Sequence, residues 1–150
     1  VVMFSEQVKY PLEQDGRWID YDPANSATRL TEALAPIKPE GGTNMHIALD
    51  AAFAFRAQGL DTIYLLSDGL PNVGEGLPAN AASLKEAERC DILSKHIRGK
   101  LKGDWNRPRA DGSRVKINTV GFFYESPEVG AFLWAMAREN DGSFVGMSRP

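Results

Sequence analysis

TIYLLSDG, residues 62–69, is a short apolar strand that runs directly into a polar turn. Residues 62–66 carry no charge, and such a run is typical of a parallel sheet whose two faces are both covered by helices. We therefore predict a strand buried on both faces. Ser67, Asp68 and Gly69 would then lie at its carboxyl end, which is where open α/β sheets place their binding sites.

Helices and strands alternate on the C-terminal side of this segment. The apolar spacing and turn residues predict a helix at 83–101, a strand at 115–123, a helix that begins with Ser126, Pro127 and Glu128, and a strand at 144–147. The inward side of the second of these helices is predicted to carry Val129, Phe132, Leu133 and Met136. This alternation favours one domain over residues 1–150, with a three-layer, doubly wound, mostly parallel α/β sheet.

The N-terminal part is predicted in less regular units. Residues 1–9 read as a strand, and after a turn at 14–16 the segment 17–21 could return as its antiparallel partner. Asp22 and Pro23 favour a helix start. A second helix at 45–56 is apolar nearly all round, so we expect it to be central.

Composition narrows the function classes. Among the 150 residues, 43% are hydrophobic and 25% charged, which fits one globular core. Seventeen basic against twenty acidic residues, without a basic run, argue against a nucleic-acid partner. We expect no membrane segment, because no stretch approaches the roughly 20 apolar residues that a spanning helix needs. The one cysteine, Cys90, excludes an internal disulfide and is predicted to be a packed thiol.

Two polar loops could carry chemistry, namely residues 41–44 (the Thr43 loop: Gly41, Gly42, Thr43, Asn44) and residues 67–69 (the Asp68 turn). In the predicted topology both face the same edge of the sheet. The Thr43 hydroxyl and the Asp68 carboxylate are hard oxygen ligands suited to Mg²⁺ or Mn²⁺. Each loop also has a structural interpretation, with Thr43 or Asn44 as a helix cap and Asp68 in a simple turn.

Four segments in this order resemble a bacterial von Willebrand factor type A (VWA) domain: GGTN at 41–44, IYLLSDGLPN at 63–72, INTVG at 117–121 and FLWAMARENDGSFV at 132–145. The likeness covers nearly the whole chain. In that family a metal-ion-dependent adhesion site combines an Asp-x-Ser-x-Ser loop, a threonine before a helix and an aspartate in a later Asp-Gly turn. The resemblance implies that Thr43 is a direct ligand and that Asp68 binds directly or through water.

The Asp-x-Ser-x-Ser loop does not occur in these residues, and the family places it on a strand and helix that would precede Val1. The family's strand order, three-two-one-four-five-six, would put the missing strand between the strand at 1–8 and that at 62–66. We therefore expect an incomplete domain of marginal stability. Its Mg²⁺ or Mn²⁺ affinity should be weak or negligible. The residues expected around the ion, or at the rim formed by the carboxyl ends of the strands, are Gly42, Asn44, His46, Ser67 and Gly69.

The function that the resemblance implies is protein binding without catalysis, by a module of a larger polypeptide in which an acidic residue of the partner completes the metal site. One alternative is a metal-independent VWA scaffold for assembly. Another is a Mg²⁺-dependent phosphoryl hydrolase centred on Asp68. A dinucleotide fingerprint at Gly74, Gly76 and Ala79 is weak because it lies inside a loop.

The loop at 70–82 is a candidate for partner contact because it leaves the Asp68 turn directly. Ser67 lacks a nucleophile elbow, and His96 is expected on a solvated helix, which argues against a serine hydrolase. Three aromatic residues are expected at core or edge positions, and three glutamates in solvent: Trp18, Tyr64 and Trp134; Glu6, Glu125 and Glu128.

Overall fold

The computed structural model describes residues 1–14, 16–122 and 126–147. Predictions that involve Asp15, Phe123 and Glu125 lie outside these ranges. None of the helices in the described ranges has the length and apolar character needed to cross a bilayer. The elements in chain order are β1 (Met3–Phe4), β2 (Val8–Lys9), α1 (Ser26–Leu34), α2 (Met45–Phe53), β3 (Thr62–Ser67), α3 (Glu86–Lys100), β4 (Lys116–Phe122), α4 (Pro127–Glu139) and β5 (Phe144–Met147).

The main sheet has three parallel strands in the order β3-β4-β5. Ile63 lies opposite Ile117, and Thr119 lies opposite Phe144. The prediction of an α/β fold with a parallel sheet is confirmed. Parallel pairing requires a crossover between successive strands, and α3 and α4 are the helices in those two crossovers. The carboxyl ends of β3, β4 and β5 therefore lie at one edge.

The described sheet is covered on one face only. Leu65 and Ser67 of β3 are buried, whereas Tyr64 is 70% exposed and Leu66 is 49% exposed. Val145 and Met147 of β5 are also exposed, at 55% and 44%. The prediction that β3 is buried on both faces is thus wrong, and so is the packing role given to Tyr64. An apolar sequence shows that a strand can be covered but does not supply the covering layer.

The covered face of the sheet packs on helices α2, α3 and α4. The predicted central position of α2 and the inward stripe of α4 are confirmed, and the Cys90 thiol is buried. Fully burying a Leu or Ile side chain contributes roughly 1.5–3 kcal/mol, so these helices supply much of the stability. The core side chains of the helices and strands include Met45, Leu49, Phe53, Leu65, Ile97, Ile117, Val129, Phe132, Leu133 and Met136.

Trp134 and Trp18 are equally exposed but differ in their contacts. Trp134 is 56% exposed on the outer side of α4, so its predicted packing role is wrong. Trp18 is equally exposed, but its ring meets Phe55 edge-on at 5.0 Å and its Nε1 donates to the Gln58 carbonyl at 3.1 Å. Trp18 therefore packs at the edge of the core, as expected.

The N-terminal segment does not form the predicted long strand. Met3 pairs with Lys9 in a small antiparallel hairpin, and the Ser5 amide closes it on the Gln7 carbonyl at 3.0 Å. Residues 17–21 form no strand. Backbone groups without a neighbouring strand are satisfied locally instead. Helix α1 begins at Ser26 and not at the predicted Asp22 and Pro23. The Asp22 carboxylate instead accepts the Ala24 amide at 2.9 Å in a turn that precedes the helix.

A buried amide network joins the end of the α3 segment to the sheet. Asn106, only 1% exposed, follows a π-helical turn (Leu101–Trp105) that continues α3. Its Nδ2 donates to the Val115 carbonyl and to Asn140 Oδ1, both at 2.8 Å, and its Oδ1 accepts the Val115 amide at 2.8 Å. Asn140 Nδ2 in turn donates to the Met136 carbonyl at 2.8 Å. The network fixes where β4 begins and where α4 ends.

Candidate functional site

The Thr43 loop and the chain beyond the Asp68 turn are hydrogen-bonded to each other. The Thr43 amide donates to Asn72 Oδ1 at 2.7 Å, and the Asn72 amide donates to the Thr43 carbonyl at 3.1 Å. A Cβ atom added to Gly69 would lie 3.9 Å from Thr43 Oγ1. The two loops thus meet at the carboxyl end of β3. We call this surface, residues 41–44 and 67–72, the rim.

The N-terminal hairpin supports the rim from the other side. The Asn44 amide donates to the Ser5 carbonyl at 2.8 Å, and the Gly42 amide donates to Glu6 Oε1 at 3.2 Å. Glu6 is exposed as predicted, yet it also holds this loop. The Asn44 side chain caps α2 by accepting the Ile47 amide at 3.4 Å, so the helix-cap interpretation of Asn44 is confirmed.

The two predicted metal ligands keep free oxygen atoms. Within the described residues, neither Thr43 Oγ1 nor the exposed Asp68 carboxylate has a hydrogen-bond or ion-pair partner. Ser67, by contrast, is buried and its Oγ donates to the Gly69 carbonyl at 3.0 Å. One hydroxyl and one carboxylate have the right chemistry for Mg²⁺, but they supply only part of an octahedral oxygen shell.

A second cluster lies beside the rim and joins the two histidines of the chain. His46, in the first turn of α2, is buried, and its ring stacks on that of His96 from α3 with centroids 5.3 Å apart and planes 19° apart. The Trp105 ring meets His46 edge-on at 4.9 Å. α3 is largely solvent-exposed, as predicted, but it directs the half-buried His96 side chain towards α2.

Glu75 completes the cluster from the loop at 70–82. One carboxylate oxygen lies 3.5 Å from His46 Nε2 and the other 3.9 Å from His96 Nε2. Gly74 and Gly76 place it there, with φ values of 128° and 109° that L side chains rarely adopt. A Cβ on Gly76 would come within 2.4 Å of His96 Cγ. The loop therefore fits closely against α3.

The environment favours neutral imidazole at His46. Burial lowers the pKa of His46, and the nearby Glu75 carboxylate opposes that shift only in part. His46 Nδ1 and His96 Nε2 are buried without a hydrogen-bond partner among the described residues. His46, Glu75 and His96 each offer one possible ligand atom here, and these three atoms lie within 4.8 Å of one another.

Sequence reasoning placed His46 near the rim but did not connect it with His96 or Glu75. The three residues come from two helices and a loop, so no short motif records their proximity. The available signal was the Gly-Glu-Gly stretch at 74–76, since glycines on both sides of a carboxylate indicate a loop in close contact with other groups.

Comparison with known proteins gives no family model that matches the chain and no curated protein with significant similarity to it.

Proposed function

We propose that the chain is a protein-binding module of the VWA type, and that its contact surface is the rim together with the loop at 70–82. The observation that carries the proposal is the meeting of Thr43 and the Asp68 turn at one edge, each with oxygen atoms that have no partner among the described residues. An ion held there by few carboxylates would remain electrophilic. A carboxylate from a partner would then gain a direct bond to it.

The exposed face and edge of the sheet support the proposal of an incomplete three-layer domain. β3 is an edge strand among the described residues, and Tyr64 and Leu66 are exposed to solvent on its uncovered face. The VWA resemblance puts the missing strand beside β3. The missing loop would also supply most of the metal ligands, so the chain by itself should bind Mg²⁺ or Mn²⁺ only weakly.

Paramagnetic broadening by Mn²⁺ tests the proposed contact surface. In the 150-residue chain, labelled with ¹⁵N, we expect millimolar Mn²⁺ to broaden the amides of Thr43, Asp68 and Gly69 first. Added acetate, as a model carboxylate, should strengthen this broadening. Asp68→Asn should abolish it, whereas Asp61→Asn, a matched change at the opposite end of β3, should leave it intact.

Broadening that is spread evenly over acidic residues, or that survives Asp68→Asn, would contradict a metal site at the rim. Tight stoichiometric binding of Mg²⁺ in calorimetry would contradict the expectation that this chain holds only part of the site. Broadening that acetate does not change would remove the proposed role of a partner carboxylate.

A metal-independent scaffold is the second candidate, and the exposed apolar side chains of the sheet favour it. Leu66→Glu should then reduce association of the chain with other apolar surfaces, including itself, in sedimentation velocity. The matched change Thr28→Glu, on the exposed surface of α1, should have no effect. A phosphoryl hydrolase is supported less well, because Asp68 belongs to no group of three or more metal-ligating His, Cys, Asp or Glu side chains among the described residues.

A further inference from the structure

We propose that His46, Glu75 and His96 form a binding site for a divalent transition-metal ion of the Zn²⁺ class, separate from the rim. The proposal does not depend on the VWA resemblance. It rests on three ligand-bearing side chains brought together by α2, α3 and the loop at 70–82.

The donor set selects the kind of ion. Imidazole nitrogen suits Zn²⁺, Co²⁺ and Ni²⁺, whereas Mg²⁺ prefers an all-oxygen shell. Two histidines and one carboxylate with a free position are also a ligand set found in zinc sites that keep a bound water. The Glu75 side chain is 67% exposed, so solvent reaches the cluster from its side and can occupy that position.

The distances are close to those of a bound state. Metal bonds of about 2.0–2.2 Å put neighbouring ligand atoms of a tetrahedral ion roughly 3.3–3.6 Å apart. The separations of 3.5 Å and 3.9 Å between Glu75 and the two Nε2 atoms need to close by a few tenths of an ångström. The three ligand atoms together lie within 4.8 Å of one another, so the widest pair closes by up to roughly 1.5 Å. The stacked imidazoles must also tilt so that both nitrogen lone pairs converge on the ion.

A buried, unpaired nitrogen gives an independent reason for a ligand here. Buried polar atoms normally have a hydrogen-bond partner, yet His96 Nε2, one of the two imidazole nitrogens that face Glu75, has none within the described residues. A metal ion on His96 Nε2 would satisfy that atom directly.

Nearby charges partly balance. Asp50 and Lys100 both act on His46 electrostatically. The Lys100 ammonium is paired with Asp104 at 2.8 Å, and Asp50 accepts the Trp105 indole N–H at 3.1 Å. Glu75 therefore supplies the negative charge that is not already engaged, which makes it the residue whose neutralisation should weaken binding without disturbing the core.

Calorimetric titration with Zn²⁺ tests the site on the 150-residue chain, prepared without a histidine tag. We expect one ion per chain with micromolar affinity or better. Glu75→Gln and His96→Gln should each weaken binding at least about tenfold. Glu86→Gln, an exposed change at the start of the same helix as His96, is the matched control and should leave the affinity unchanged.

Two spectroscopic readouts locate the ion. The chain has only two histidines, so imidazole shifts in NMR report on this cluster alone. In a Trp18→Phe, Trp134→Phe background, Co²⁺ should quench the fluorescence of Trp105, whose ring lies 4.9 Å from His46.

Absence of binding would overturn the proposal, as would unchanged affinity in a folded Glu75→Gln variant or an equal loss in Glu86→Gln. Because Glu75 is exposed, Glu75→Gln keeps the test decisive even where His96→Gln does not fold. Binding of Zn²⁺ with no Mn²⁺ effect at Thr43 would support this site while contradicting the metal-dependent function proposed for the rim.

Discussion

Replacing Asn106 with alanine should be among the most destabilising polar changes in the chain. The variant loses three hydrogen bonds and leaves the Val115 amide, the Val115 carbonyl and Asn140 Oδ1 without their partner. A typical hydrogen bond contributes about 0.5–1.5 kcal/mol net, and a buried group left unpaired costs about 1–3 kcal/mol. Because the cavity left by the side chain can admit water, we expect a loss of about 3–5 kcal/mol in the free energy of unfolding.

The assay is urea unfolding followed by far-ultraviolet circular dichroism. Asn80→Ala is the matched control, since Asn80 is exposed and its side chain makes no hydrogen bond with described residues; its effect should stay within about 0.5 kcal/mol. An Asn106→Ala loss below about 1 kcal/mol would refute the reasoning about unpaired groups. If the variant is unfolded in buffer, a stabilising osmolyte series gives the same free energy by extrapolation.

The same experiment measures the expected marginal stability of the parent chain. Whole domains unfold with about 5–15 kcal/mol, and a chain whose described sheet has three strands and one uncovered apolar face should lie at or below the lower end. Asn106→Ala would then remove most of the folded population. A sharp, cooperative melt of the monomer at high temperature would contradict this expectation.

Three further predictions follow from single contacts. Gly76→Ala should lift the loop off His96, weaken Zn²⁺ binding at least about tenfold and lower the melting temperature, because alanine is strained at a φ of 109°; unchanged affinity would argue against close contact of the loop. Hydrogen bonds donated by Arg98 lower the pKa of Glu139 below the ordinary 4.5. This half-exposed pair therefore stabilises the fold above that pH, and its contribution disappears as the pH falls through the folded-state pKa. The stability difference between the parent and Glu139→Gln should shrink in acid urea titrations, and a constant difference would contradict this prediction. Burial raises the pKa of the Cys90 thiol, so Ellman's reagent should react only as the chain unfolds, and rapid reaction of the native protein would place the thiol at the surface.

The parts of the fold that the sequence predicted are those with strong local signals. The strand Phe144–Met147 was predicted with its observed bounds, and the inward residues of α4 were predicted from their helical spacing. Asn44 preceded an apolar helix and caps it. In each case the chain's own periodicity or cap chemistry agrees with the final packing.

The predictions that were wrong depended on neighbours that are distant in sequence. The continuous apolar run at residues 62–66 could not tell whether a second layer covers Tyr64 and Leu66. The meeting of His46 with His96 depends on how α2 packs against α3, and the position of Glu75 depends on two glycines in a loop without periodicity. The candidate ion site is therefore a product of tertiary packing, which local pattern does not record.

The unpaired edge of β3 in the described sheet affects the solubility of the protein. Thr62–Ser67 is an uncharged six-residue strand, and a strand of this kind at a sheet edge is a template for intermolecular β-pairing and aggregation. The exposed carboxylates of Asp61 and Asp68 stand at its two ends, where charge discourages such stacking. Neutralising either aspartate should lower the concentration at which the chain precipitates. A change at Asp68 thus alters colloidal behaviour as well as any ion binding, and Asp61→Asn separates the two effects.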